Sequence, residues 1–122
     1  MRSILFKAKK LSDGKWVKGS LVKTPFGTFI EWYEDSICNK REVAPSTICQ
    51  YTGLTDCEGN EIWEHDLIHF VGYKPTAEVI WSECNYAFMV ASENEPLYWL
   101  PDVLEIGKIE RVGNKFDKEG KV

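Results

Sequence analysis

The chain has 122 residues, a formal net charge of −4 and a pI near 5.2, and 43% of its residues are hydrophobic. The length fits one domain of ordinary size, and the hydrophobic content excludes a disordered chain. The acidic balance argues mildly against a nucleic-acid-binding protein, although an acidic average can hide a local basic patch.

Neither an export signal nor a membrane span is predicted. Lys7, Lys9 and Lys10 interrupt the start of the chain, where a signal peptide needs an unbroken apolar run. No run approaches the ~18 apolar residues that a spanning helix needs. We therefore expect a cytoplasmic protein that does not engage the membrane.

Short strands separated by turn signals are predicted along the whole chain. The first is an N-terminal β-hairpin over residues 4–22, since Asp13-Gly14 favours a tight turn. A turn at Pro25-Phe26-Gly27 leads to a strand over 28–33. Residues 34–46 are predicted to be a loop with a short strand near Glu42-Val43, and Pro45 opens either one helical turn or an extended link.

The second half continues this pattern. A turn-rich loop over residues 55–60 precedes a strand over 67–72, and residues 77–81 and 86–90 form a hairpin. A β-like piece over 97–101, a helical turn over 102–105 and a closing strand over 106–114 follow. The charged tail, 115–122, is expected to fray.

These elements predict a mainly β fold with little helix. No segment keeps a 3.6-residue apolar period over ten residues, and turn signals recur every ~8–12 residues, as in small barrels and sandwiches. We predict a small β-barrel, SH3-like or related, with an N-terminal hairpin, forming a single domain over residues 1–114.

His65 and His69 stand four residues apart, with Asp66 after the first, in the outline of the zinc-protease signature H-E-x-x-H. That signature works on a helix, where residues four apart lie on one face. The segment is rich in β-branched and aromatic residues, and on a strand the two histidines would stand roughly 13 Å apart. No metal or other cofactor is therefore expected.

The four cysteines form no C-x-x-C pair and are expected to be reduced thiols. A small hydrolase or metal enzyme built on Cys57, His65 and His69 remains an alternative, although four cysteines and two histidines offer such pairs by chance. No catalytic residue is assigned.

Five tryptophans exceed what one small core usually holds. Each alone is more often a core residue, but for the set we expect at least one at an interface, where Trp is favoured. The candidates are Trp16, Trp63, Trp81 and Trp99.

The central block is the most specific feature of the sequence. It contains Gln50-Tyr51-Thr52-Gly53-Leu54, Asp56, Gly59, Glu61-Ile62, Glu64, Asp66 and Leu67-Ile68. This pattern resembles the signature of the YopX-like phage proteins, G-Q-Y-T-G-L-x-D-x-x-G-x-E-I-Y-E-G-D-I-V. The N-terminal hairpin, Trp81 and the segment 109–114 also resemble that family's blocks.

His65 departs from the pattern, because a glycine is common at this position. Either the turn is built differently here, or His65 bears the conformational cost of a positive φ. Cys49 and Trp63 also replace the common Gly and Tyr.

The resemblance implies a phage or prophage origin, a mostly β fold with a barrel-like core, and homo-oligomers, but no catalytic residue. We predict a non-enzymatic binding or assembly module, with an unidentified protein partner also open. The alternative is a nucleic-acid-binding barrel using Lys7, Lys9, Lys10, Lys15 and Lys18 of the N-terminal hairpin. The candidate binding residues are Tyr51, Thr52, Gly53, Asp56, Gly59, Glu61, Glu64 and Asp66. Their competing interpretation is structural, with the glycines setting turns and the aspartates accepting hydrogen bonds from turn amides.

Overall fold

The computed structural model describes residues 5–70, 76–92, 95–106 and 109–118. The chain divides into two compact units, Met1–Tyr51 (unit 1) and Thr52–Val122 (unit 2). Strand β5, Cys49–Thr55, begins in unit 1 and ends in unit 2.

Unit 1 is an antiparallel sheet. Its strands are β1 (Phe6–Lys9), β2 (Trp16–Thr24), β3 (Gly27–Glu34) and β4 (Ile37–Glu42), with β1 also pairing with the start of β5. The predicted N-terminal hairpin is confirmed, with Gly14 at a φ of 72° in its turn. A 3-10 helix over Pro45–Thr47 decides between the two alternatives for Pro45 in favour of the helical turn.

One face of this sheet forms the core of unit 1. Ala8, Ile30 and Val43 are fully buried at its centre. Phe6, Val17, Leu21, Trp32 and Ile48 pack around them and are partly buried. Residues directly opposite each other on paired strands share a face, so the other face carries Trp16, Lys18, Ser20, Glu31 and Lys40.

The predicted loop over residues 34–46 is wrong in its first half, because β4 occupies Ile37–Glu42. Asp35 and Ser36 have φ values of 51° and 67° and connect β3 to β4. Two consecutive positive φ values are the feature of a type I′ turn, whose twist matches that of a hairpin.

Unit 2 contains strand β6 (Glu61–Trp63), which pairs with β5, and a five-stranded antiparallel sheet. The sheet order is β10-β9-β8-β7-β11. Its strands are β7 (Asp66–Phe70), β8 (Ala77–Ser82), β9 (Ala87–Ser92), β10 (Glu95–Trp99) and β11 (Ile109–Asn114).

Helix α1, Leu100–Ile106, supplies Leu100 and Val103 to the core of unit 2. These two side chains pack with Ile62, Ile68, Val79, Val90 and Ile109, all nearly or fully buried. Lys115–Lys118 form a 3-10 helix and Phe116 is buried, where the sequence predicts a frayed tail. Residues 119–122 of that tail lie outside the described residues.

The mainly β prediction is confirmed, because 63% of the described residues are in strands and they include one α-helix. The barrel is not confirmed, because neither sheet closes on itself within the described residues. In the part of the chain that the structure describes, no helix has the length and apolarity to cross a membrane.

Candidate functional site

The Asp56 carboxylate organises the turn between β5 and β6. Oδ1 accepts hydrogen bonds from the backbone N–H groups of Glu58 (2.9 Å) and Asn60 (2.8 Å). Oδ2 accepts from the Asn60 side-chain amide (3.1 Å) and from the distant backbone N–H of Arg111 (2.9 Å). The side chain therefore fixes its own turn and attaches that turn to β11.

The ionisation of Asp56 reflects this arrangement. Burial, which leaves Asp56 6% exposed, by itself raises the pKa of the carboxyl. The hydrogen bonds from Arg111, Asn60 and Glu58 outweigh burial and hold the pKa of Asp56 below its ordinary value. The charged form is thus the one that the fold stabilises.

Asp66 is fully buried and receives three hydrogen bonds. Oδ2 accepts from the Trp63 backbone N–H (2.7 Å) and from Nε of Arg111 (2.9 Å). Oδ1 accepts from Nδ2 of Asn114 (2.9 Å). A buried carboxylate needs such charged and dipolar partners, because an unpaired one would be costly.

Asn114 extends this arrangement toward the C-terminal 3-10 helix. Its Oδ1 accepts a hydrogen bond from the Phe116 N–H (2.9 Å), and its own N–H donates to Oδ2 of Asp117 (3.1 Å). We call Asp56, Asp66, Arg111 and Asn114 the aspartate cluster. It joins two turns of unit 2 to β11 and leaves the oxygens of both aspartates occupied.

His65 lies in the turn between β6 and β7 with a φ of 70°. The turn therefore keeps the left-handed conformation that favours glycine, and His65 bears its cost. The backbone is held by a bond from His65 N–H to Val79 O (2.7 Å) and by one from Lys115 N–H to His65 O (2.9 Å).

The imidazole of His65 contributes contacts that a glycine lacks. Nδ1 lies 2.7 Å from Oε2 of Glu78, and the ring meets Phe116 edge-on at 5.2 Å between centroids. Nε2 lies 3.7 Å from Oε2 of Glu64. These contacts account for a histidine at a position suited to glycine.

The remaining residues of the central block serve strands and turns. Tyr51 N–H donates to Leu5 O (2.8 Å), and the Thr52 hydroxyl donates to Ile62 O (2.7 Å). Gly53 and Gly59 have φ values of 83° and 85°, which suit glycine. Glu61 is exposed on β6, and Glu64 is half-buried beside His65. The block thus supplies turn and strand geometry, as its structural interpretation predicts.

The cysteine–histidine alternative gains no support from the geometry. The strand predicted over residues 67–72 is confirmed over 67–70, and residues 71–72 lie outside the described residues. The helix that the zinc signature requires is therefore absent from residues 66–70. Nε2 of His69 lies 2.8 Å from Oε1 of Glu110, its neighbour on β11, and Cys57 is exposed in the Asp56 turn. Among the described residues, no group of three or more His, Cys, Asp or Glu side chains is placed to hold a metal ion.

The candidate interface tryptophans separate into three groups. Trp63 is only 2% exposed, so its assignment to an interface is wrong and it belongs to the interior. Trp16 is half-buried on β2. Trp81 and Trp99 are exposed by 40% and 51%.

Sequence reasoning missed Arg111 and Asn114 as partners of the two aspartates. A signal was present, because Arg111 is the only arginine after Arg41 in the sequence. A buried carboxylate in the second half of the chain therefore had a single guanidinium with which to pair.

Two antiparallel sheets and turns fixed by buried aspartates define a mainly β structural class. The chain belongs to the YopX family, because a family model described as YopX protein matches residues 5–119. No curated protein matches the chain.

Proposed function

We propose that this chain is a non-enzymatic binding or assembly module of phage or prophage origin that acts as a homo-oligomer. The observation that carries the proposal is a group of exposed aromatic side chains on β8 and β10 in unit 2. Trp81, Tyr98 and Trp99 are exposed by 40%, 58% and 51%. Large aromatic side chains are enriched at the centres of protein interfaces.

Strand register places two of these side chains, Trp81 and Tyr98, on one face, whereas Trp99 stands opposite Met89 on the other. Trp81 stands opposite Phe88, and Tyr98 stands opposite Val90, two residues further along β9. Trp81, Phe88 and Tyr98 therefore share one face, which we call the β8–β10 aromatic face. Trp81 and Phe88 also meet edge-on at 5.1 Å between centroids.

The β8–β10 aromatic face continues the core onto the surface, because the buried residues Val79 and Val90 lie on the same side of the sheet. An apolar surface continuous with a core is typical of contacts between identical subunits. The edge strand β10 disfavours strand addition, because Pro96 has no N–H and the register shifts between Pro96 and Tyr98. The contact is therefore expected to use side chains.

Light scattering after size exclusion tests the proposal. The wild-type chain should elute as an oligomer. The Trp81→Ser, Tyr98→Ser double variant should have a dissociation constant at least about tenfold higher, because truncating a hot-spot side chain costs more than the ~1.4 kcal/mol that corresponds to a tenfold change in Kd. Phe26→Ser is the matched control, since Phe26 is 91% exposed in a turn of unit 1. A wild-type monomer at ~100 µM, well above the Kd of a stable dimer, would contradict the proposal.

A further inference from the structure

The net charge of the chain conceals two units of opposite sign. Unit 1 has nine Lys and Arg against five Asp and Glu, a formal charge of +4. Unit 2 has six against fourteen, a formal charge of −8. The acidic net charge of the chain therefore hides a basic unit. The local electrostatic potential of unit 1, which attracts or repels charged partners, is set by this positive charge.

The positive charge of unit 1 is concentrated in the β1–β2 hairpin, residues 6–24. This segment has six lysines and a single acidic residue, Asp13. The Asp13 carboxylate lies 3.1 Å from Nζ of Lys10. Lys15, Lys18 and Lys23 are exposed.

Strand register interleaves this charge with aromatic surface. Lys9 stands opposite Trp16, and Lys7 stands opposite Lys18, so all four lie on one face. The Nζ atoms of Lys7 and Lys9 lie 4.6 Å and 5.5 Å from the centroid of the Trp16 ring. Lys7 is only 6% exposed and supports the ring, whereas Lys9 is half-exposed beside it.

A second lysine–aromatic pair lies on the same face of the sheet. Phe29 stands opposite Val22, and Lys40 is exposed on β4 with Nζ 5.3 Å from the centroid of the Phe29 ring. We call Lys9, Trp16, Lys18, Phe29 and Lys40 the lysine–aromatic face; the same face also carries two acidic residues, Glu31 opposite Lys40 and Glu42 opposite Phe29. It lies opposite the face that forms the core of unit 1.

We infer that the lysine–aromatic face binds single-stranded nucleic acid. Surfaces that bind single strands combine cations along the backbone with aromatic side chains on which unpaired bases stack. Lys9, Lys18 and Lys40 supply the cations, and Trp16 and Phe29 supply the aromatic surface. A duplex keeps its bases stacked internally, so it would use the lysines alone. The charge of unit 2 repels the strand and so favours contact with unit 1.

Fluorescence anisotropy with a labelled 20-nucleotide deoxythymidine strand tests this inference, with a 20-base-pair duplex as the comparison. The single strand should bind more tightly. With three phosphate contacts, affinity should fall about twentyfold between 50 and 200 mM salt, from a slope of ~0.7 per contact.

Lys18→Glu and Lys23→Glu form a matched pair, because both lysines are exposed on β2 but lie on opposite faces. Both variants change the net charge equally. Lys18→Glu should weaken single-strand binding at least about fivefold, and Lys23→Glu less than about twofold, since only Lys18 lies on the proposed face. Trp16→Leu should weaken binding by about fivefold or more, because base stacking is lost.

Three results would overturn the inference: no binding at 50 mM salt, equal weakening by Lys18→Glu and Lys23→Glu, or duplex binding as tight as single-strand binding. Circular dichroism and urea unfolding establish that each variant is folded. The oligomer proposal uses unit 2 and light scattering, so failure of one proposal is distinguishable from failure of the other.

Discussion

Replacing Asp66 with alanine tests whether the aspartate cluster holds unit 2 together. The substitution removes the acceptor for the Trp63 N–H, Nε of Arg111 and Nδ2 of Asn114. Two of these donors belong to the buried residues Trp63 and Asn114, and the third carries the charge of a guanidinium whose side chain is 27% exposed. We expect Asp66→Ala to remove the two side-chain hydrogen bonds from β11 to Asp66, while the bond from the Arg111 N–H to Asp56 remains.

The magnitude follows from the loss of one partner of a buried ion pair, which destabilises proteins by about 3–5 kcal/mol. Asp66→Asn preserves the shape, but its amide N–H₂ meets a hydrogen-bond donor whichever way the group is turned. We expect this variant to lose about 1–3 kcal/mol, the cost of leaving a buried polar group unsatisfied. Domains of this size have a total stability of about 5–15 kcal/mol, so the alanine variant should lose a large fraction of it.

Urea unfolding followed by circular dichroism measures both changes in the free energy of unfolding. Asp102→Asn is the control, because Asp102 is exposed at the start of α1 and should change stability by less than about 0.5 kcal/mol. A loss below about 1 kcal/mol for Asp66→Ala would refute the reasoning, since an average point substitution costs about that much without breaking a buried ion pair.

Three further predictions concern single turns of unit 2. His65→Gly should be more stable than His65→Ala by about 1 kcal/mol in urea unfolding. Both variants lose the imidazole, but only alanine keeps the conformational cost of a φ of 70°. Equal stabilities would contradict a strained turn. The lowered pKa of Asp56 stabilises the fold above the unfolded-state pKa of ~3.9, and this contribution is lost as pH falls through the folded-state pKa. In Asp56→Asn, the free energy of unfolding should therefore fall less steeply between neutral and acidic pH than in the wild type. An unchanged pH dependence would contradict a lowered pKa of Asp56. Gly59→Ala should lower the free energy of unfolding by about 1 kcal/mol through backbone strain alone, because the φ of Gly59 is 85° and nothing lies within 4 Å of the added Cβ. A neutral or stabilised variant in urea unfolding would be inconsistent with this strain.

Strand β4 shows why part of the fold escaped sequence reasoning. Ile37–Glu42 are exposed at almost every position, so the strand has no alternation of buried and exposed residues to reveal it. It exists because β3 offers it a full set of partners across the Asp35-Ser36 turn. Strand β8 was predictable because Val79, Ile80 and Trp81 are β-branched and aromatic residues that are typical of strands.

In the candidate site, the hydrogen bonds between residues close in sequence were predictable, and those between distant residues were not. Asp56 and Asp66 were expected to accept hydrogen bonds from turn amides, and the bonds from Asn60 and Trp63 confirm this. Arg111 lies 45 residues after Asp66, and no local rule connects them. For the same reason, sequence alone did not separate the buried Trp63 from the exposed Trp99.

The long separations within the aspartate cluster have a consequence for synthesis on the ribosome. Unit 1 takes β1 to β4 from consecutive hairpins and completes its core with Val43 and Ile48, so it can fold once residues up to Tyr51 have emerged. In unit 2, Arg111 and Asn114 reach back 55 and 48 residues to Asp56 and Asp66. The Asp66 carboxylate must remain hydrated until β11 leaves the exit tunnel, because burial without its partners is unfavourable. During synthesis, the basic unit 1 can therefore fold before the acidic unit 2 has received its last strand, β11.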